Sequence, residues 1–383
     1  MRFVEHIEGS TKLLVPPISL TQDPPPTSPV FFNPAAALNR DISVAITAGT
    51  DGTTFCDSMS GVGARGVRIA NEVERIEKVT MVDFNAAALE AAKGSAALNK
   101  VGSKCEFSDS ETTSYLVSRY GRDERFDYVD VDPFGSPVRQ LQGAISSASD
   151  GGIVSITATD TAVLCGVYPR VSFRRYGALS LKNHSGHETG LRILAGALAR
   201  EGAKLDVGIE PVFVHSTRHY LRLFFRVSSG AAAAEESIGH LGYLSWCFHC
   251  GHTASSRQEE RVCSACGKKA KTAGPLWTDG LADPEVLGRA SAAADRMERA
   301  PAARLIRSLE GVNGFPPWSF SIEGASSSLK AATVPEPLVR RLLLEKGWRV
   351  MRTPFEKTGI KTDAPYQEFL LAVEESMVTG RHS

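Results

Sequence analysis

The sequence predicts an α/β fold with a mostly parallel sheet, followed by a smaller α+β C-terminal domain. Apolar strand-like runs alternate with helical patterns between residues 43 and 227, which is typical of a parallel sheet covered by helices. A glycine-rich turn between a short strand and a helix lies at residues 61–66. An alanine-rich stretch at 231–234 then precedes two Cys-x-x-Cys motifs. We therefore expect two domains, at residues 1–229 and 230–383.

Length and composition fit a globular protein of this size. The chain has 383 residues, of which 42% are hydrophobic, enough to bury substantial cores. Its 43 basic and 43 acidic residues give a net charge of zero, so binding of a nucleic acid would depend on local basic patches. No apolar run approaches the length of a membrane span, and the first residues do not resemble a signal peptide. We expect a cytoplasmic protein with no membrane association, and no obligate protein partner is evident.

The first βα unit of the sheet has the features of a Rossmann-like nucleotide cradle. A short strand at 53–57 precedes the turn Gly-Val-Gly-Ala-Arg-Gly at 61–66, and its glycines allow the backbone to approach a ligand. Asp83 follows the second strand, where an acid would accept ribose hydroxyls. The same residues match the dinucleotide fingerprint, so a NAD-dependent oxidoreductase is one alternative. A turn that only packs a helix on a strand is another.

Acidic residues at the ends of the strands favour S-adenosylmethionine over a dinucleotide. Asp57 precedes the glycines by four residues, where its carboxylate would attract a cationic amino-acid group and repel a pyrophosphate. A third strand at 104–107 leads to Asp109, and a fourth at 126–131 leads to Asp132. Ligands bind at the carboxyl ends of the strands in open α/β sheets. The pattern therefore predicts one cleft, although a single acid of this kind would more often be a helix cap.

The fourth strand runs into the sequence Asp-Val-Asp-Pro-Phe-Gly-Ser-Pro at 130–137. Asp132 and the carbonyl of Pro133 offer hydrogen-bond acceptors, and Phe134 offers a flat apolar face. This combination suits the exocyclic amine of a nucleobase, whereas an isolated Asp-Pro would more often be a capped turn. Because such an amine is a poor nucleophile, we expect catalysis to depend on positioning it against an electrophilic methyl group. We interpret Cys165 as structural, because no base or cation adjoins it.

Four cysteines form a separate unit in the second domain. Two Cys-x-x-Cys motifs are separated by twelve residues, a spacing typical of a tetrahedral thiolate zinc site. Disulfides are the alternative, but nothing in the sequence indicates an oxidising compartment. We predict a structural Zn²⁺ without an open coordination position. Its ligands would be Cys247, Cys250, Cys263 and Cys266.

The rest of the chain predicts further elements and one candidate RNA surface. A proline-rich segment at 21–29 predicts an extended chain that leads into a motif lying over the cleft. The alternation at 220–227 predicts an edge strand. A helix at 284–309 and another at 337–345, followed by a strand and a wing-like loop, are expected beyond it.

Basic residues are mixed with aromatic residues between positions 168 and 182. Such a mixture suits an RNA backbone beside an unstacked base, or equally a solvated basic face. The residues are Arg170, Arg174, Arg175 and Lys182 with Tyr168, Phe173 and Tyr176.

Several motifs occur together along the chain. They are Phe-Phe-Asn-Pro at 31–34 with Asn-Arg-Asp at 39–41, the two motifs at 61–68 and 130–137, Thr-Ala-Thr-Asp-Thr-Ala at 157–162 and His-Glu at 187–188. In combination they resemble the tRNA (guanine(26)-N(2))-dimethyltransferase family, from about residue 8 to residue 277. Phe32 stands where that family usually has tyrosine, and the residues at 57–63 vary its usual cofactor loop.

The resemblance implies a function and completes the set of candidate site residues. It implies S-adenosylmethionine-dependent methylation of the N2 amine of guanine 26 in tRNA, giving N2-methyl- and N2,N2-dimethylguanosine. It also implies that the zinc-containing C-terminal domain helps to bind tRNA, that Arg40 contacts the cofactor, and that Phe32 shapes the base pocket. The catalytic candidates are Asp132, Pro133, Phe134 and Phe32. The cofactor-binding candidates are Arg40, Asp57, Gly61, Gly63, Arg65, Asp83 and Asp109.

Two other functions stay open on the sequence. The first is an N-methyltransferase for a different guanine or adenine amino group in RNA or DNA, because the Asp-Pro-Phe motif does not specify the base. The second is a zinc-containing RNA-binding module without catalysis, which would not bind S-adenosylmethionine. The complete set of acids at the strand ends counts against the second.

Overall fold

A computed structural model describes residues 2–119, 124–217 and 219–379 of the chain. The strands within these ranges are β1 (Val4–Glu8), β2 (Thr11–Val15), β3 (Thr54–Asp57), β4 (Lys78–Asp83), β5 (Cys105–Asp109), β6 (Phe126–Val131), β7 (Ala148–Ala158), β8 (Val207–Thr217), β9 (Tyr220–Ser229), β10 (Leu241–Trp246), β11 (Thr253–Ser256), β12 (Lys271–Trp277), β13 (Phe320–Ser321), β14 (Val350–Arg352) and β15 (Gly359–Thr362).

The helices surround these strands. They are α1 (Ala37–Gly49), α2 (Ala64–Glu72), α3 (Ala86–Leu98), α4 (Thr112–Val117), α5 (Leu141–Ser147), α6 (Thr161–Leu164), α7 (Pro169–Tyr176), α8 (Gly186–Ala203), α9 (Ala231–Gly239), α10 (Pro284–Arg296), α11 (Ala300–Arg307), α12 (Ile322–Ser328), α13 (Glu336–Glu345) and α14 (Tyr366–Thr379). Short 3-10 helices lie at Pro17–Leu20, Pro34–Ala36, Gly102–Lys104 and Val312–Gly314.

Seven strands form the central sheet in the order β5-β4-β3-β6-β7-β9-β8. The five strands from β5 to β7 are parallel, and β9 is antiparallel to both of its neighbours. The predicted mostly parallel α/β sheet is confirmed. The order reverses between β3 and β6, so the loops that follow these strands diverge and leave a crevice at their carboxyl ends. The loops with Asp57 and Asp132 flank this crevice.

The prediction that residues 220–227 form an edge strand is wrong. They belong to β9, which lies between β7 and β8, and β8 is the edge of the sheet. Arg222, one of the two arginines that produce the alternation, is fully buried. It is compatible with the interior because the carboxylate of Asp130 binds it. A buried charge that is paired gives the same sequence pattern as a polar solvent-facing side chain.

The C-terminal part contains two small antiparallel sheets. The first has the order β11-β10-β12 and the second the order β13-β15-β14. The helix expected at 284–309 is divided into α10 and α11, with Glu298 in the left-handed conformation between them (φ 58°). The helix at 337–345 and the strand after it are confirmed as α13 and β14, but the wing-like loop expected next instead contains the buried strand β15.

Among the described residues, the hydrophobic interior is divided into three clusters. The largest contains the central sheet with its helices, continues through α10 and α11 to Val312, and also includes Phe355. A second cluster joins α13 and α14 to the sheet around β15, and a third contains buried cysteines. The domain boundary at 229/230 stays a prediction. In the described ranges, no helix has both the length and the apolar character required to cross a membrane.

A buried ion pair connects the last sheet to α8. Lys361 of β15 is fully buried, and its Nζ lies 2.7 and 2.8 Å from the two carboxylate oxygens of Glu188. Arg192, one turn further along α8, also binds Glu188, with an Nη2 to Oε1 distance of 2.9 Å. Removing one partner of such a pair leaves a charge buried without compensation, which costs several kcal/mol. The C-terminal sheet is therefore held in a fixed position relative to α8.

Candidate functional site

The loop after β3 has the geometry of a ligand cradle. Asp57 is buried, and its Oδ2 accepts the backbone N–H of Gly66 at 2.9 Å, at the start of α2. Gly61 and Gly63 have φ values of 52° and 75°, which favour glycine. At Gly63 a Cβ would lie 2.7 Å from the Cβ of Ala92, so a side chain would not fit. Both predicted glycines are thus required by the shape of the turn.

Asp83 and Asp109 follow the neighbouring strands. One carboxylate oxygen of Asp83 accepts the N–H of Gly61 at 2.8 Å, and the other accepts the N–H of Asn85 at 2.8 Å. This carboxylate therefore links the loops after β3 and β4. Asp109 pairs with Asp83 in the strand register and is exposed. The structure brings the acids of β3, β4 and β5 to one rim, as the sequence predicts.

The turn after β6 presents the three groups predicted to hold a base. The side chain of Asp132 is 30% exposed, Pro133 is buried, and Phe134 is 67% exposed. Gly135 adopts φ 79°, with its N–H donated to Thr159 Oγ1 at 2.6 Å and its carbonyl accepting the Thr159 N–H at 2.9 Å. These bonds fix the turn to the end of β7. An aromatic ring and a carboxylate therefore reach solvent side by side at the crevice.

Phe31, which sequence reasoning missed, is the aromatic residue that meets this turn. Its ring contacts that of Phe134 edge to face, with centroids 4.9 Å apart. Phe32 is 2% exposed and packs against His6 and beneath Arg40 instead. Residue type could not distinguish two adjacent phenylalanines in an irregular segment. The structure brings Phe31 to the turn and does not bring Phe32 there.

The segment that contains Phe31 crosses the loops of the crevice. The carbonyl of Pro29 accepts a hydrogen bond from Asn85 Nδ2 at 2.7 Å. The carbonyl of Phe31 lies 3.6 Å from the position that a Cβ of Gly61 would take. Because Phe31 also contacts Phe134, the segment touches the loops after β3, β4 and β6. The start of the motif therefore lies over the crevice as expected, whereas Phe32 packs against His6 and Arg40 binds Glu8.

Arg65 orients the carboxylate of Asp132. Its Nη1 donates to Asn39 Oδ1 at 3.0 Å and to Ser43 Oγ at 2.6 Å, and its Nη2 donates to Asp132 Oδ2. Its Nε lies 3.2 Å from Asp130 Oδ1. The sequence predicts Arg65 as a cofactor contact, but these contacts occupy its guanidinium at the end of β6. One oxygen of Asp132 is held in this way, and the other keeps its acceptor capacity.

Asp130 and Arg222 complete this network, and neither was a predicted site residue. Asp130 Oδ2 accepts hydrogen bonds from Arg222 Nη2 and Ser155 Oγ. Burial alone would raise the pKa of Asp130, but Arg222 and Arg65 hold it below its ordinary value. The only sequence signals were an acid two residues before Asp132 and an arginine within an apolar strand. A permanently charged network therefore lies directly beneath the turn.

Arg40, a predicted cofactor contact, is also engaged in a buried network. Its Nε donates to Glu8 Oε1 at 2.6 Å, and its Nη2 donates to the carbonyl of Asn33 at 3.0 Å. Glu8 also binds Arg68, with an Nη1 to Oε1 distance of 2.9 Å. These bonds attach the β1–β2 hairpin to α1 and α2, and the segment after Phe32 to α1. In this structure Arg40 fixes the segment that carries Phe31.

The three cysteines outside the four-cysteine cluster are unsuited to nucleophilic catalysis. Burial raises the pKa of Cys165 to about 12 and that of Cys105 to about 11. Burial likewise raises the pKa of Cys56 far above its ordinary value. A thiolate, which is the reactive form, is therefore strongly disfavoured at each position. This agrees with the interpretation of Cys165 as structural.

The four cysteines of the second part converge on one point. Their sulfurs all lie within 4.8 Å of one another, and Cys247 Sγ is 3.6 Å from Cys266 Sγ. All four thiols are free, and this separation is much longer than a disulfide bond of about 2.05 Å. Four sulfurs at about 2.3 Å from a central tetrahedral ion would have separations of this size. The backbone N–H groups of His249 and Cys250 also face the sulfur of Cys247.

Comparison with known proteins relates this architecture to RNA modification. A sequence model of the N2,N2-dimethylguanosine tRNA methyltransferase family matches residues 9–374. The tRNA (guanine(26)-N(2))-dimethyltransferase of Methanothermobacter thermautotrophicus is 35% identical over 93% of this chain and 95% of its own. The enzyme of the same name from Methanopyrus kandleri is 35% identical over 96% of each chain.

A solved structure also resembles this chain over nearly its whole length. It is the complex of Trm1 from Pyrococcus horikoshii with S-adenosyl-L-methionine, which superposes with a TM-score of 0.83 at 30% sequence identity. The match covers 96% of this chain and 99% of that one.

The buried carboxyl of Asp57 predicts a measurable pH dependence of stability. Burial raises its pKa from 3.8 to about 7, against an opposing effect of Arg65. The pKa of Asp57 is higher in the folded state than in the unfolded state, so binding of a proton to Asp57 stabilises the fold. This contribution to the free energy of unfolding is complete below about pH 4 and is lost as the pH rises through 7. Between these pH values, the free energy of unfolding should fall by up to about 1.4 kcal/mol per pH unit.

The Asp57→Asn variant isolates this effect, because asparagine keeps an acceptor for the N–H of Gly66 but does not titrate. In urea unfolding between pH 4.5 and 8, the free energy of unfolding of the wild type should fall relative to that of the variant. Parallel pH profiles for the two proteins would show that Asp57 does not titrate in this range.

Proposed function

The chain belongs to the N2,N2-dimethylguanosine tRNA methyltransferase family, and we propose that it methylates the exocyclic N2 amine of guanine 26 in tRNA with S-adenosylmethionine as donor. The observation that carries the proposal is the turn after β6, where Asp132, Pro133 and Phe134 lie at the point where the strand order reverses. The products are N2-methyl- and N2,N2-dimethylguanosine. The proposal includes a cytoplasmic location and tRNA binding by residues 230–383.

The loops after β3 and β4 fit S-adenosylmethionine. Asp57 supplies a buried carboxylate for a cationic amino-acid group, and the turn at 61–63 lets the backbone approach closely. Ser60 Oγ is buried within this turn without a hydrogen-bond partner among the described residues, which is a feature of sites that a ligand completes. Asp83 keeps free lone pairs for ribose hydroxyls. When bound, the cofactor supplies an electrophilic methyl group on a positively charged sulfur.

The protein's own contribution is to position the amine. Asp132 and the carbonyl of Pro133 accept the two N2 hydrogens of guanine, so the nitrogen lone pair faces the cofactor site. Phe134, supported by the ring of Phe31, fixes the plane of the base. The amine attacks the methyl carbon, the carbon–sulfur bond breaks, and the amine proton then passes to an acceptor such as Asp132 or water. Alignment of the two reactants provides most of the rate enhancement.

The direct test is incubation of the protein with methyl-labelled S-adenosylmethionine and unmodified tRNA transcripts. Transcripts with guanine or adenine at position 26 should differ, because only guanine has an N2 amine to accept the methyl group. Mass spectrometry of the nucleosides should find N2-methylated guanosine only in the guanine transcript. Methylation at another position would support methyl transfer by this protein but contradict guanine 26 as its target. A lack of S-adenosylmethionine binding would favour the alternative of an RNA-binding module without catalysis.

The four-cysteine cluster supports a structural zinc ion as a further part of the proposal. Cys247, Cys250, Cys263 and Cys266 would fill all four positions of a tetrahedral ion, which leaves none for substrate. Gly251 and Gly267 adopt φ values of 73° and 69° after the second cysteine of each pair and close the two turns. A thiolate set of this kind provides folding free energy and no chemistry at the crevice.

The Cys250→Ser variant should release the metal and lower the melting temperature, because serine is a poor ligand for zinc. Zinc content is measured by elemental analysis of the purified proteins, and stability by thermal unfolding. Cys165→Ser is the matched control and should keep one zinc ion per chain, because Cys165 lies outside the cluster. Absence of zinc from the wild type, or full zinc content in Cys250→Ser, would contradict the assignment.

A further inference from the structure

One face of α7 exposes cations and an aromatic ring together. Arg170, Phe173 and Arg174 have the i, i+3, i+4 spacing that places side chains on one side of a helix, and all three are exposed. Phe173 is 58% exposed, and Tyr168, just before the helix, is 55% exposed. α7 contains three arginines and no acidic residue, in a chain whose net charge is zero. The positive charge is therefore local to this helix.

The opposite face of α7 is attached to the turn that holds the base. Tyr176, which is 2% exposed, accepts a hydrogen bond from Ser136 Oγ at 2.8 Å and donates one to Asp160 Oδ1 at 2.6 Å. Arg175 Nη1 binds the other carboxylate oxygen of Asp160 at 2.9 Å. Ser136 is two residues from Phe134. The arginines of α7 thus have two separate roles: Arg175 attaches the helix, and Arg170 and Arg174 face solvent.

We infer that the exposed face of α7 is a docking surface for the tRNA strand that carries the target guanine. Two guanidinium groups would contact phosphates, and Phe173 and Tyr168 would stack on bases exposed beside the target. The hydrogen bonds of Tyr176 set the distance between this surface and Asp132. The inference rests on the proposed function, because it assigns the substrate's contacts beside the same site.

The Arg170→Ala/Arg174→Ala variant tests the surface with an unmodified tRNA transcript as the probe. Loss of two phosphate contacts should weaken binding at least tenfold at moderate salt. It should also reduce the slope of log affinity against log salt by roughly 0.7 to 0.9 per contact. Phe173→Ala should weaken binding by roughly tenfold and leave the salt slope unchanged, since stacking releases no counterions.

The matched control is Arg125→Ala/Lys204→Ala, which removes two exposed cations that precede β6 and β8, on the side of the sheet opposite the crevice, and should leave tRNA affinity unchanged. Calorimetric titration with S-adenosylmethionine verifies that every variant keeps its cofactor site. If the wild type methylates and binds the transcript but the α7 variants bind it equally well, the inference fails and the proposed function stands. If the wild type neither binds nor methylates the transcript, both fail.

Tyr176→Phe tests the attachment separately. Phenylalanine keeps the ring in the core but loses the hydroxyl that connects Ser136 and Asp160. The affinity for the tRNA transcript should stay within about twofold, because Arg170 and Arg174 are retained. The single-turnover rate of methyl transfer should fall about tenfold, because the docked strand is no longer held at the correct distance from Asp132. A purely structural role would lower thermal stability and leave this rate intact, which would overturn the attachment.

Discussion

The ion pairs of Asp130 with Arg65 and Arg222 are the constraint on which the site depends. Asp130 is 1% exposed and Arg222 is fully buried, and an unpaired charge at such depth would cost several kcal/mol. The network therefore has one favourable arrangement, which joins β6 to α2 and β9. Arg65 is fixed within it and holds one oxygen of Asp132. The acceptor proposed to bind the target amine is thus positioned by groups that are themselves buried.

Two further connections place the aromatic part of the site. The segment of Phe31 is held from one side by Arg40 and Glu8 and from the other by Asn85, so its ring stays against Phe134. The turn itself is fixed by Gly135 to the end of β7 and, through Ser136, to α7. A short, partly exposed turn thereby becomes rigid enough to orient a base. Such pre-organisation is what a reaction limited by alignment requires.

The sequence predicts the parallel sheet, the glycine turn and the acids at the strand ends, because these depend on local patterns and on a general rule for where ligands bind. It does not predict the pairing of Arg222 with Asp130, which are 92 positions apart. Nor does it show which of two adjacent phenylalanines faces the crevice, since an irregular segment has no periodicity. The roles of Arg40 and Arg65 likewise depend on partners that only the tertiary structure brings near.

The most direct test of this account is the single-turnover rate of methyl transfer by Asp132→Ala, measured with saturating cofactor and tRNA transcript. This rate should be at least about a hundredfold lower than that of the wild type, comparable to the loss of one preorganised polar group in other active sites. The affinities for S-adenosylmethionine and tRNA should change little, because Asp130 still pairs with Arg65. Glu90→Ala, which removes an exposed acid of α3 outside the candidate site, is the control for a general electrostatic effect. A rate for Asp132→Ala equal to that of the wild type would contradict the proposed role of the turn.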